Sequence, residues 1–131
     1  SLEAMSAATN LYAVEPEGFD DHRRSLESGK LETNPSKTGS ICDALLSPQP
    51  GKLTFAINKP RLAGALSVSD DQVRAAMAFA FHELKLVVEP GGAVALAVIL
   101  SGKIETADRR TAIVRSGGNV DPDLLCPALS S

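Results

Sequence analysis

Residues that build common metal and redox sites are scarce in this 131-residue chain. Its two cysteines, Cys42 and Cys126, lie far apart and form neither a CxxC pair nor a four-ligand metal set. We expect two free thiols in a reducing compartment, with a disulfide between them as the alternative. The two histidines, His22 and His82, have no partners at ligand spacing. We therefore interpret both as ordinary surface or packing residues.

Three further absences exclude other functional classes. The net charge is -3 with acids and bases interspersed, so there is no basic stripe for a nucleic-acid backbone. No run of about 18 uncharged apolar residues occurs, which predicts no transmembrane helix. The first residues lack a basic region followed by an apolar stretch, so we expect no secretory signal. These absences predict a cytoplasmic protein with neither a nucleic-acid nor a membrane partner.

The composition that is present fits a single globular domain. Apolar residues make up 44% of the chain, an ordinary fraction for one hydrophobic core. Strand-like and helix-like segments alternate, which predicts an α/β fold with an open, largely parallel sheet flanked by helices. Strands are predicted at 10–14, 65–68 and 111–114. Helices are predicted at 20–28, 52–63, 90–100, 122–129 and from position 69 onward, whereas 31–39 is a loop and 40–46 is ambiguous.

The predicted helices carry recognisable start signals. Asp20 and Asp121 are capping residues at the first and last helices. Ser69 precedes the clearest helix, and Gln72 stands three positions later as in a capping box. The helix at 90–100 is apolar almost all round, so it must be covered on nearly every face.

Two glycine-containing stretches are candidate sites. Ser116-Gly117-Gly118-Asn119 follows the predicted strand at 111–114. Ligands bind beyond the carboxyl ends of parallel strands, and glycines let a flat ligand approach the backbone closely. A plain turn after the strand is the alternative. Glu89 stands before a helix N-terminus, where a carboxylate is favoured, so helix capping is the alternative to a ligand contact there.

A third candidate is the acidic stretch 15–21, with four carboxylates in seven residues. Carboxylate oxygens are ligands for Mg²⁺ or Ca²⁺, although the spacing is not that of an EF-hand. The alternative is a solvated acidic loop that caps the following helix.

Taken together and in order, these stretches resemble the threonine dehydratase and serine racemase group of fold-type II pyridoxal-phosphate enzymes. The matching segments run from about position 10 to 125: YAVEPEGFDD, SICDALL, LSVSDDQVRAAMAFAFHELKLVVEPGGAVALAVILSG and SGGNVD. The resemblance implies that 1–131 is a single C-terminal fragment of the catalytic, tryptophan-synthase-beta-like domain. It also implies dehydration and deamination of a β-hydroxy amino acid, such as threonine or serine, to a 2-oxo acid and ammonia, with racemisation or dehydration of 3-hydroxyaspartate as the alternatives.

The resemblance assigns roles to particular residues. Ser116, followed by Gly117, corresponds to the serine whose hydroxyl meets the pyridine nitrogen of pyridoxal 5'-phosphate, and Glu89 to a glutamate near the cofactor ring. The carboxylates of Glu15 and Asp21 and the carbonyl oxygen of Phe19 correspond to ligands of a divalent cation, Mg²⁺ or Ca²⁺. If this is right, the Ser116 side chain must face a cleft or a broken-open surface.

Two positions depart from the family pattern. Arg115 stands where relatives usually have an apolar residue, and Ala44 follows Asp43 where relatives often have glycine. Neither change removes a group that the chemistry needs.

The lysine motif and the glycine-rich phosphate loop of the family have no counterpart in the chain. We therefore expect it to be inactive alone, and to work with an N-terminal half that supplies both. We also expect an exposed apolar patch, self-association of the chain and a homo-oligomeric parent enzyme. A free-standing α/β binding or interaction module without catalysis is the alternative.

Overall fold

The computed structural model describes residues 8–130. Two strands, β1 (Tyr12–Pro16) and β2 (Gly64–Val68), form a parallel sheet in which Tyr12 pairs with Gly64 and Pro16 with Val68. The helices are α1 (Asp21–Ser28), α2 (Lys52–Asn58), α3 (Asp70–His82), α4 (Pro90–Leu100) and α5 (Pro122–Leu129), with a short 3-10 turn at Asp43–Leu45. The fold is α/β with parallel strands and helices, as the alternating pattern predicts. Within the described residues no helix has the length and apolarity needed to cross a bilayer.

The predicted strand at 111–114 is wrong. This segment belongs to no β-sheet of the described residues. No backbone hydrogen bond joins 111–116 to another part of the described chain. A strand exists only where a neighbour accepts and donates its backbone hydrogen bonds. The local apolar residues of the segment favour a strand, but no partner strand lies beside it among residues 8–130.

Helix starts follow the sequence signals with one exception. Ser69 and Gln72 form the predicted capping box of α3, and the Asp121 side chain accepts a hydrogen bond from the Asp123 N–H at α5. Asp20 does not cap α1 with its side chain. Instead the Glu15 carboxylate accepts hydrogen bonds from the N–H groups of His22 and Arg23, at 3.0 and 2.9 Å. The first turn of α1 is therefore capped from β1.

The core lies around α4, which packs against α3 and against both strands of the sheet. The sequence predicts that α4 is covered on nearly every face, and most of its residues are buried: Pro90, Gly92, Ala93, Val94, Leu96, Ala97 and Val98. Only Leu100 at its end is exposed among its large side chains. This buried helix fixes the position of the chain that precedes its N-terminus.

Candidate cofactor site

The N-terminus of α4 and the segment 116–118 form one junction. The Glu89 N–H donates a hydrogen bond to the Gly117 carbonyl at 3.1 Å, and the Glu89 carboxylate lies against the Cα of Gly117. Pro90 provides the first residue of the helix and needs no hydrogen-bond acceptor. The structure thus brings together Ser116, Gly117 and Glu89, which the sequence places 27 and 28 positions apart.

Glycine is required at this junction for steric reasons. The Ser116 carbonyl occupies the space that a Cβ at Gly92 would take. Gly117 adopts a φ of 70°, and a Cβ there would meet the Glu89 carboxylate. A Cβ at Gly118 would lie 3.1 Å from the Val87 carbonyl. The close approach of two backbones, rather than helix propensity, explains Gly92 in the first turn of α4.

Ser116 is exposed at the rim of an apolar cavity of about 330 Å³. The cavity lies between β1, α4 and the segment 111–116, with walls that include Val14, Val94 and Val98. The Ser116 hydroxyl makes no hydrogen bond within the described part of the chain. Ser116 is therefore exposed beside a cavity and is not sealed in the interior.

Glu89 borders a second cavity, of about 400 Å³. It is bordered by three carboxylates and an amide, those of Asp43, Glu89, Asp121 and Asn119. The sequence motifs identify Glu89 but give no role to Asp43 or to the Asp121 side chain beyond capping. Their proximity depends on how the 3-10 turn packs against α4, which residue spacing alone does not reveal.

These residues fit the binding of a flat heteroaromatic cofactor. The glycines at 92, 117 and 118 let the Ser116–Gly118 segment pack closely against Glu89 and the start of α4, and the exposed Ser116 presents a hydroxyl without a hydrogen-bond partner among the described residues beside this junction. Glu89 is half-buried, so its carboxylate is partly withdrawn from water at the same place. A hydroxyl that donates or accepts one hydrogen bond suits a neutral ring nitrogen.

The acidic loop is held by hydrogen bonds from the backbone of α1 and from Asn34. Both oxygens of Glu15 accept backbone hydrogen bonds, and the buried Asp21 accepts one from the Asn34 amide at 2.6 Å. Glu15 and Asp21 border the same small cavity of about 210 Å³, which His22 also borders. Phe19 is buried. No three His, Cys, Asp or Glu side chains within 8–130 come together as a metal cluster.

Burial and hydrogen bonding together set the pKa values of the ionisable groups in and next to this loop. Burial raises the pKa of Glu15 to about 7, although the backbone N–H groups of Arg23 and His22 favour the ionised form. Burial also lowers the pKa of His22, whose Nε2 has no hydrogen-bond partner among the described residues. At Asp20 burial is outweighed by hydrogen bonds from Arg23 and Arg24, and the pKa lies below its usual range. The loop therefore contains two different carboxyl groups. Asp20 is stabilised in its ionised form by the arginines of α1, whereas Glu15 is costly to ionise.

Comparison with known proteins identifies the class of fold and then the family. The fold matches the threonine deaminase of T.th. with a TM-score of 0.82 at 35% identity, over 92% of this chain and 43% of that one. It matches maize serine racemase with a TM-score of 0.84 at 32% identity, over 98% of this chain and 41% of that one. Residues 1–117 match the family described as pyridoxal-phosphate dependent enzyme. The chain belongs to this family.

Curated relatives agree with the family, and each of them is much longer than this chain. Serine racemase of Dictyostelium discoideum is 35% identical over 124 residues, which is 92% of this chain and 38% of that protein. Phenylserine dehydratase of Ralstonia pickettii is 34% identical, over 92% of this chain and 37% of that protein. The chain thus spans less than two-fifths of the length of these relatives.

Proposed function

We propose that this chain is the C-terminal part of a pyridoxal-phosphate-dependent dehydratase that converts a β-hydroxy amino acid to a 2-oxo acid and ammonia. The observation that carries the proposal is the free hydroxyl of Ser116 at the rim of a cavity, beside the junction of Gly117 and Glu89. Relatives named as dehydratases, ammonia-lyases and racemases support this substrate class.

Each residue of the junction has a distinct task in this proposal. When bound, the cofactor withdraws electrons from the α-carbon of the amino acid. Ser116 would hold the ring nitrogen through its hydroxyl, which does not force that nitrogen to carry a proton. Gly92 and Gly117 allow the close contact among α4, Glu89 and Ser116 that keeps Ser116 in place. Glu89 would border the bound cofactor, and its half-buried carboxylate would orient the cofactor's polar groups.

The chain alone is expected to be inactive, because the lysine that holds the cofactor would come from an N-terminal half. The test is a chimaera in which this chain replaces the 38% of Dictyostelium discoideum serine racemase that it matches. We expect the chimaera to release 2-oxo acid from L-threonine, L-serine or L-threo-3-hydroxyaspartate, and the isolated chain to release none.

Ser116→Ala in the chimaera is expected to lower kcat/KM about tenfold, the equivalent of one hydrogen bond of about 1.4 kcal/mol. It should also shift the cofactor's visible absorbance. The matched control is Ser47→Ala, an exposed serine whose hydroxyl makes no hydrogen bond within the described residues. A folded, cofactor-loaded chimaera that is inactive on all three amino acids, or a Ser116→Ala variant with unchanged absorbance, would refute the proposal.

We further propose that Glu15, Asp21 and the Phe19 carbonyl bind a divalent cation in the complete protein. The support is the resemblance together with the cavity that Glu15 and Asp21 share. Binding at 100 times the Kd would stabilise the fold by about 2.7 kcal/mol. We expect Mg²⁺ or Ca²⁺ to raise the Tm of the chimaera, and Asp21→Asn to abolish the rise. The exposed Asp71→Asn is the control, and a Tm indifferent to both ions contradicts the cation site.

A further inference from the structure

The segment 40–46, which carries the 3-10 turn Asp43–Leu45, belongs to no sheet and to no α-helix of the described residues. Within 8–130 no backbone–backbone hydrogen bond joins it to another segment. Cys42 is fully buried in the core and anchors the segment by packing. The direction in which the turn leaves the core must therefore be fixed by side-chain hydrogen bonds.

Asp70, the first residue of α3, supplies these hydrogen bonds from 30 positions along the sequence. Its Oδ1 accepts from the Ser40 hydroxyl at 2.7 Å, and its Oδ2 accepts from the Ile41 N–H at 3.1 Å. The Ser40 hydroxyl oxygen in turn accepts from the Cys42 N–H at 3.1 Å. Hydrogen bonds to a carboxylate are about twice as strong as those between neutral groups. One half-buried carboxylate thus fixes the stretch immediately before the turn.

The start of α3 does not depend on this carboxylate for its cap, because Ser69 and Gln72 form the capping box. The next residue, Asp71, lies in the same first turn, is almost fully exposed and pairs with Arg74 at 3.0 Å. Both acids are favoured near a helix N-terminus. Among the described residues, only Asp70 of the two contacts the segment 40–46. The contact is therefore separable from the helix start.

The turn that Asp70 holds reaches the candidate cofactor site. Leu45 packs against the first turn of α4, since a Cβ at Gly91 would lie 3.4 Å from the Leu45 Cγ. Asp43 borders the same cavity of about 400 Å³ as Glu89. A shift of the turn would therefore change the separation between two carboxylates that border one cavity.

We propose that Asp70 is a positioning residue for the cofactor site, which acts through Ser40 and the turn to hold the Asp43 carboxylate at the cavity beside Glu89. This rests on the proposed function, which places the cofactor there. A carboxylate favours the positively charged form of a group bound nearby, and its influence falls with distance. Asp43 would therefore act on the bound cofactor directly, whereas Asp70 would act only through Asp43.

The contact itself is tested in the isolated chain, without cofactor, by amide hydrogen exchange. Asp70→Ala should speed exchange of the Ile41 N–H about tenfold or more, because a hydrogen bond to a charged group is lost. Ser40→Ala should speed exchange of the Cys42 N–H, whereas Ser40→Thr keeps the hydroxyl and should not. Asp71→Ala, the matched control in the same turn, should leave both rates unchanged. If Asp70→Ala does not fold, Asp70→Asn takes its place, since it keeps one acceptor oxygen.

The action on the site is tested in the chimaera with Dictyostelium discoideum serine racemase. Asp70→Ala and Asp43→Asn should shift the visible absorbance of the bound cofactor in the same direction, and each should lower kcat/KM about tenfold. The double variant should match Asp43→Asn alone, because residues that act in one chain of contacts are not additive. Asp71→Ala should change neither the absorbance nor the rate.

Three outcomes would overturn the inference. Unchanged exchange of the Ile41 N–H in Asp70→Ala would remove the contact. An Asp70→Ala chimaera with lowered Tm but unaltered absorbance and kcat/KM would leave Asp70 a purely structural role. Additive effects of Asp70→Ala and Asp43→Asn would show that Asp70 does not act through the turn. A cofactor-loaded parent chimaera that releases no 2-oxo acid would reject the dehydratase, while exchange and absorbance would still decide on Asp70.

Discussion

Cys42 and Cys126 show how burial decides the chemistry of a single residue. Cys42 is fully buried in the core, and burial raises the pKa of its thiol to about 11. Cys126 is exposed on α5. At pH 8 only about one Cys42 in a thousand carries the reactive thiolate, since each pKa unit is a factor of ten.

We expect iodoacetamide to modify one thiol in the folded chain and two in urea, as measured by mass spectrometry. Cys126→Ser should abolish the folded-state labelling, and fast labelling of Cys42 would contradict the buried assignment.

Two neighbouring glycines of α4, Gly91 and Gly92, should respond in opposite ways to substitution by alanine. At Gly91 a Cβ would make ordinary contacts with Leu45 and Ala44, the nearest at 3.4 Å, and alanine is the better helix former by about 1 kcal/mol. At Gly92 a Cβ would collide with the Ser116 backbone, which is held in the junction. We expect Gly91→Ala to be neutral or stabilising, and Gly92→Ala to destabilise by about 1–3 kcal/mol in urea unfolding. Equal changes in the free energy of unfolding for the two substitutions would show that the Ser116 carbonyl does not exclude a side chain at position 92.

At the scale of elements, the capping box of α3 is the strongest local signal. The Ser69 hydroxyl accepts from the Gln72 N–H at 3.3 Å, and the Gln72 side chain accepts from the Ser69 N–H at 3.0 Å. Ser69→Ala removes one acceptor of the first turn and is expected to cost about 1 kcal/mol. Urea unfolding with Ser47→Ala as the control measures it. A loss no larger than that of the control would mean that the helix start is set by packing alone.

The elements that the sequence predicts well are those whose signals are local. Helix α4 begins at Pro90 and ends at Leu100, as predicted, because its start and its end are each marked by residues in the local sequence. Helix α2 ends at Asn58, earlier than predicted, because Pro60 cannot continue it. The segment 111–114 is where local reasoning fails, because strand formation there depends on a partner. At the candidate site the sequence identifies Ser116 and Glu89, but contact between Glu89 and Gly117 arises only from tertiary packing.

For the whole molecule, a run of large side chains stays exposed around the end of α3. Between positions 79 and 87 these are Phe79, Phe81, Leu84, Leu86 and Val87, each at least 37% exposed. Exposed apolar surface of this kind is typical of a contact with another polypeptide. The run is consistent with the expectation that the chain alone self-associates.

Self-association through this surface makes a measurable prediction. The mass of the isolated chain from light scattering should rise with concentration, and Leu84→Glu should hold it near 13.7 kDa, because a buried, unpaired carboxylate opposes association. Leu53→Glu is the matched control, since Leu53 is an even more exposed leucine on α2. An equal effect of both substitutions would indicate nonspecific aggregation rather than a defined surface. A chain that stays monomeric at all concentrations would contradict self-association, and these apolar side chains would then remain exposed to solvent.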